Sequence, residues 1–157
     1  MNRPRARIIG IGQDTAGDDG VGIAVARHLG TLEVPADIEI IERAEPSAAI
    51  DLLSDGIKQV VFIDALVGGA KTGRVVEIDP SQHNAADGRP LSTHGIGLLE
   101  AIELARTLDR SAMPQRITIV GITIERPSRY RAEVSAPVAA AIPIAAKLAL
   151  GQLGIAR

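Results

Sequence analysis

Arg7-Ile-Ile-Gly-Ile-Gly12, then Gln13-Asp-Thr-Ala-Gly-Asp-Asp19, then Gly20-Val-Gly-Ile-Ala-Val-Ala-Arg-His-Leu29, reads as a strand, a glycine-rich turn and a helix. The first run is short, apolar and continuous rather than alternating, as expected of a strand covered on both faces of a parallel sheet. The helical pattern opens behind the Asp18-Asp19 pair and stops at Gly30, a plausible C′ glycine. Outward from this unit the pattern repeats. Ile38–Glu42, Gln59–Asp64, Arg74–Asp79 and Arg116–Ile124 read as further strands, rich in β-branched residues. Ser47 is an N-cap candidate for a helix to about Leu53. Gly95–Leu108 points Ile96, Leu99, Ile102 and Leu104 toward one side. Ser135–Leu153 is Ala-rich, with Pro137 near its start and Pro143 inside it, and reads as a kinked helix. Residues 80–90 are polar and read as a surface loop. The alternation specifies an α/β fold of three layers: a mostly parallel, twisted, five-stranded sheet with helices on both faces. Residues 1–157 are expected to form a single domain.

Composition narrows the chemistry. The hydrophobic fraction of the 157 residues is 46%, yet Phe62 and Tyr130 are the only aromatics, so the core must be aliphatic. No cysteine occurs, which excludes disulfides, thiolate metal sites and a cysteine nucleophile together. The formal net charge is −2, without a basic block or an aromatic platform, so nucleic acid is not an expected partner. The apolar run after Met1–Arg7 breaks at Gly12, too early for a signal sequence or a membrane span. A soluble, cytoplasmic, monomeric protein without membrane association is the expectation.

A glycine-rich loop after the first strand invites a dinucleotide-binding reading, with Glu42 placed where a ribose-binding acid would stand. Charge argues against it, because Asp18 and Asp19 would meet an approaching phosphate at the helix end that should attract it. Simple helix capping is the structural alternative for these acids, although two adjacent carboxylates cannot both serve the same amides. Asp64 closes an apolar strand, and in open α/β sheets ligands bind outside the carboxyl ends of strands. It could equally be an N-cap or turn acid. His94, in Leu91-Ser-Thr-His94-Gly, stands at the start of an element on the same expected edge. A capping or core histidine remains the alternative. His28 falls on a helix face and His83 in the loop. Together Asp19, Asp64 and His94 supply two oxygens and one imidazole, a three-donor set for a borderline divalent ion with positions left open. None of Ser47, Ser54, Ser81, Ser92, Ser111, Ser128 and Ser135 lies in a G-x-S-x-G elbow.

These residues resemble the hydrogenase maturation proteases, which remove a C-terminal extension from the nickel-iron hydrogenase large subunit. The likeness runs through nearly the whole chain. Gly10 to Gly22 is similar to the family's strand, Gly-x-Gly-Asn, spacer and Asp-Asp/Glu-Gly-x-Gly. Phe62-Ile-Asp64-Ala65 is similar to its apolar strand ending in Asp-Ala, and Ser92-Thr-His94 to its Ser-x-His before a helix. Gly121 to Glu125 and Ser135-Ala-Pro137 are similar to two later signatures. Gln13 stands in place of the usual Asn, and Asp14-Thr15 replaces an apolar position. The resemblance implies an endopeptidase in which Asp19, Asp64 and His94 bind the metal. It implies nickel carried in by a large-subunit precursor, and no tightly held metal on the free protein. Two schemes of catalysis fit. In one, an ion polarises the carbonyl or activates water, with the spare carboxylate Asp18 as base. In the other, nickel only docks the substrate while Asp19 and Asp64 supply the rest. A Rossmann-type nucleotide-binding module and a non-catalytic, nickel-dependent assembly partner are the rival readings.

Overall fold

The computed structural model describes residues 3–68, 71–83, 97–126 and 132–155. Five strands form one sheet: β1 (Ala6–Ile11), β2 (Ile38–Arg43), β3 (Gln59–Val67), β4 (Val75–Ile78) and β5 (Arg116–Ile124), in the order β2-β1-β3-β5-β4. All neighbouring pairs are parallel except β4 with β5, which is antiparallel. Thr123 fixes that reversed edge: its hydroxyl donates to the Lys71 carbonyl at 2.6 Å and accepts from the Arg74 amide at 2.9 Å.

The apolar runs are continuous because both faces are covered. On one face, Ala6, Ile8, Val61, Ile63, Val120 and Ile122 pack beneath α1 (Val21–Gly30) and α3 (Ala136–Gln152). The buried side of α3 is Ala141, Ala145, Ala146 and Ala149, whose small side chains let the helix lie close to the strands. On the other face, Ile9, Ile11, Phe62, Leu66 and Ile119 pack beneath α2 (Leu98–Leu108) and a short 3-10 helix at Pro46–Leu53. The fold class expected from sequence is therefore the one observed.

Several local expectations shift. Gly30 is the last residue of α1 and not a left-handed C′ residue; Thr31, still right-handed, is the C-cap. Ser47 lies inside the Pro46–Leu53 helix, whose N-cap is Glu45. Helix α2 has Gly97 as its N-cap, and Leu104 turns toward solvent, 42% exposed, because the apolar stripe runs through Leu98, Leu99, Ile102 and Ala105. Pro80–Gln82 is a 3-10 turn capped by the Asp79 side chain, which accepts from the Ser81 amide. Pro143 stands within the continuous helix α3.

At the opposite end of the sheet from the strands' carboxyl edge, Arg7 is a buried cation within β1. Its guanidinium donates to both Asp55 oxygens (2.7 and 2.5 Å), to Glu39 and to the Leu52 carbonyl, so the charge is fully partnered.

Candidate active site

Strand β1 is the point where the strand order reverses: β2 lies on one side of it and β3 on the other. The chain leaves β1 for α1 on one face and returns from β2 to β3 through the 3-10 helix on the other. In open α/β sheets ligands bind where two such connections diverge, outside the carboxyl ends of the strands, here those of β1 and β3. Asp18 and Asp19 follow β1, and Asp64 belongs to β3.

The loop after β1 is pinned by close backbone approaches. Gly12 turns the chain with a φ of 143°, donates to the Arg43 carbonyl at 3.0 Å, and lies against the Asp19 carbonyl, where a Cβ would collide. Asp18 and Asp19 sit in one 3-10 turn, Gly17–Gly20, and both are half-buried. Helix α1 then begins over the sheet, with Gly22 packed against the carbonyl oxygens of Ile11 and Ile63. That contact seats the turn bearing Asp19 above β3 at the residue preceding Asp64.

Asp64 does not end its strand. β3 continues to Val67, pairing with β5 through Asp64↔Gly121 up to Val67↔Ile124. The register explains the placement: β1 pairs with β3 only as far as Gly10↔Ile63, so Asp64 stands where β1 has turned away. It is wholly buried, with Oδ1 accepting from the Ala65 amide at 2.8 Å. By strand alternation it shares the face of Phe62 and Leu66, the face that α2 covers. A buried carboxylate in an otherwise apolar strand is not what packing alone selects. Asp19 follows β1 and Asp64 lies within the neighbouring strand β3; carboxylates of this kind suit a hard or borderline cation, or the positioning of water at a carbonyl.

Asp18 faces another way. Its Oδ1 accepts from the Ser135 amide at 2.6 Å and its Oδ2 from the Ser135 hydroxyl at 2.8 Å. The capping alternative is thus met in an unexpected form, since the helix it serves is α3; the N-cap of α1 is Gly20 and uses no side chain. Sequence reasoning missed this pairing, although Ser135-Ala-Pro137 was visible as a helix start.

His94 and Ser92 lie outside the described residues. His28 is half-buried on α1, and the His83 ring Nδ1 lies 2.9 Å from the Asp79 carbonyl, past the end of β4, which runs toward the amino edge of the parallel strands. The hydroxyls of Ser54, Ser81, Ser111 and Ser135 donate to Asp51, Asp79, Asp109 and Asp18 respectively, so none of these four is poised on a histidine base. Glu42 is held by Arg27 through two bonds of 3.1 Å, and Arg27 also reaches Asp14 at 3.2 Å. The position of a ribose-binding acid is therefore spanned by an ion pair. Beyond Asp64, the carboxyl ends of β3 and β5 open on a cavity of about 540 Å³ lined by Val67, Gly68, Lys71, Thr72, Ile124, Glu125 and Arg126.

Comparison with known proteins agrees with this architecture. The family described as hydrogenase maturation protease matches residues 23–152, a stretch that contains Asp64 and His94 and begins just after the first loop. Protein FrxA of Pyrococcus furiosus is 30% identical over 137 residues, 85% of this chain and 94% of its own length. A Methanocaldococcus jannaschii protein assigned to the hydrogenase maturation proteases is 28% identical over 81 residues, so that match spans about half of each chain (50% and 53%). Among solved structures, the hydrogenase maturating endopeptidase HybD of Escherichia coli superposes with a TM-score of 0.75 at 20% identity, covering 97% of this chain and 95% of its own. The [NiFe] hydrogenase maturation protease HycI of Thermococcus kodakarensis gives 0.72 at 25% identity, covering 98% and 95%. The chain belongs to the hydrogenase maturation protease family, and its enzyme class is that of a peptidase.

Proposed function

We propose that this chain is the endopeptidase that removes the C-terminal extension from the precursor of a nickel-iron hydrogenase large subunit, in the cytoplasm, once nickel has been inserted. What supports the reading is a buried acid, Asp64, inside an apolar strand of the family's fold, with the turn bearing Asp19 following the neighbouring strand β1. In this reading the nickel is part of the substrate. Asp19, Asp64 and His94 contact it and so test whether the precursor is finished. Two oxygens and one imidazole, with no thiolate, make a weak site on the free protein, which suits a sensor of metal held by a partner.

Contact with the nickel brings the scissile bond to the carboxylates. Water adds to the carbonyl carbon and loses a proton to a carboxylate; the C–N bond then breaks and the proton passes to the departing amine. Peptide bond and water are consumed, and a new C-terminal carboxylate and a free amine are formed. The open cavity beyond β3 and β5 gives the precursor's polypeptide room beside this centre.

The test is the mass of a nickel-loaded, C-terminally extended precursor incubated with this protein. A shortened large subunit and a released peptide are expected, and neither with Asp19→Asn, Asp64→Asn or His94→Ala. A precursor of unchanged mass that nonetheless binds this protein would identify a non-catalytic assembly partner. A rise in melting temperature with nucleotide would favour the Rossmann-type reading, which the Arg27–Glu42 ion pair and the acidic turn oppose.

A further inference from the structure

Two segments 117 residues apart in sequence meet where Asp18 receives both hydrogen bonds of Ser135, at 2.6 and 2.8 Å. Asp18 adjoins Asp19 in a single 3-10 turn, Gly17–Gly20, whose N-cap Ala16 supplies no side-chain hydrogen bond and accepts from the Asp19 amide at 3.3 Å. Such turns are intrinsically weak. The two bonds from Ser135 are short and charge-assisted, and they hold the turn from outside it.

Helix stability alone does not account for the arrangement. Ser135 is the N-cap of α3, where a serine hydroxyl ordinarily accepts from an amide of the first turn. Pro137 offers no such amide, yet Val138 does. The hydroxyl instead donates to Asp18, so the local cap is given up for a tie to the distant turn. On the other side, the Asp19 carbonyl is pressed against Gly12. The backbone that carries the Asp19 side chain is thus held from β1 and from the start of α3.

We propose that Ser135 is a positioning residue for peptide cleavage: through Asp18 it fixes the turn that presents Asp19 to the substrate. The proposal rests on the assignment of Asp19 above, and it gives Asp18 an anchoring role in place of a base's.

The test compares Ser135→Ala, Ser135→Thr, Asp18→Asn, the Ser135→Ala/Asp18→Asn double variant and Asp19→Asn in the processing of the nickel-loaded precursor. Melting temperature and nickel titration of the free protein are followed in parallel. Ser135→Ala and Asp18→Asn should each lower kcat by about ten- to a hundredfold with KM little changed, the cost of a slightly misplaced group. The double variant should lose no more than the worse single variant, because both remove one tie. Ser135→Thr, which keeps the hydroxyl, should restore most of the rate. Nickel affinity of the free protein should weaken by the same factor in both single variants. Full activity in Ser135→Ala beside an inactive Asp19→Asn would overturn the positioning role and leave Asp19 standing. An inactive Asp18→Asn beside an active Ser135→Ala would overturn it in favour of direct base catalysis by Asp18. Losses that merely follow falling melting temperature would overturn it in favour of a structural tie. An active Asp19→Asn would remove the assignment on which it rests.

Discussion

Charge at individual residues separates the two ends of the sheet. At the amino end, Arg7 is almost wholly buried and holds Asp55, and its guanidinium keeps that carboxyl below the usual range for aspartate, chiefly by hydrogen bonding. Because the folded value is the lower one, the pair's contribution is intact above about pH 4 and is lost as pH falls through the folded value. Asp55→Asn should therefore cost about 1 kcal/mol at pH 7, a modest figure because Asp55 is half exposed, and progressively less as pH falls through the folded value. Urea unfolding of both proteins across that range would check the convergence. At the carboxyl end the proposed function gives the acids a different use. Asp19→Asn should abolish processing with a stability change within about half a kcal/mol, as for most half-exposed positions; a collapse in melting temperature would make Asp19 a structural acid.

Among elements, helix α1 carries the strictest local demand. A Cβ at Gly22 would fall well inside contact distance of the Ile11 and Ile63 carbonyl oxygens, neither of which can move without disturbing the sheet. Gly22→Ala should lift the helix from β1 and β3 and cost about 1–3 kcal/mol or more, and processing should fall with it because the Asp19 turn rides on that helix. Gly30 closes the same helix with open space around it and no positive φ, so Gly30→Ala should be neutral or stabilise by up to about 1 kcal/mol. Thermal melts should show a clear fall for Gly22→Ala and none for Gly30→Ala. The length of β3 belongs to this scale as well. The apolar-to-acid transition at Asp64 reads as a strand end, yet Ala65, Leu66 and Val67 continue the pairing with β5. A carboxylate inside a strand is legible only once the neighbouring strand is known to have stopped.

For the whole molecule, one sheet separates two aliphatic clusters that share strands but no helices. Ile8 lies in the cluster under α1 and α3, and Ile102 in the one under α2. Ile8→Val and Ile102→Val should each cost about 0.5–1.5 kcal/mol. The double variant should equal the sum within about 0.5 kcal/mol, since the sites share no partners. Denaturation should stay a single transition, because the sheet couples the two layers; two separated transitions in calorimetry would show that they unfold independently.

The order of elements, the aliphatic core, the absence of thiol chemistry and the approximate position of the acids were all legible in the sequence, because each depends on local pattern: apolar runs, turn glycines, composition. The family likeness was legible too, in motifs that lie within single strand-and-turn units. What the tertiary structure alone decided was which acids face which partners. Asp18 and Asp19 are neighbours in sequence, and only folding sends the first to Ser135, 117 residues away. Asp64 reads as a strand terminus, and only the register of β1 against β3 explains an acid within the strand. Glu42 reads as a ligand-binding acid, and only the packing of α1 beside β2 shows it held by Arg27. Local pattern depends on residues a few positions apart, so sequence carries it; hydrogen bonds between distant segments depend on strand order and register, which no single segment contains.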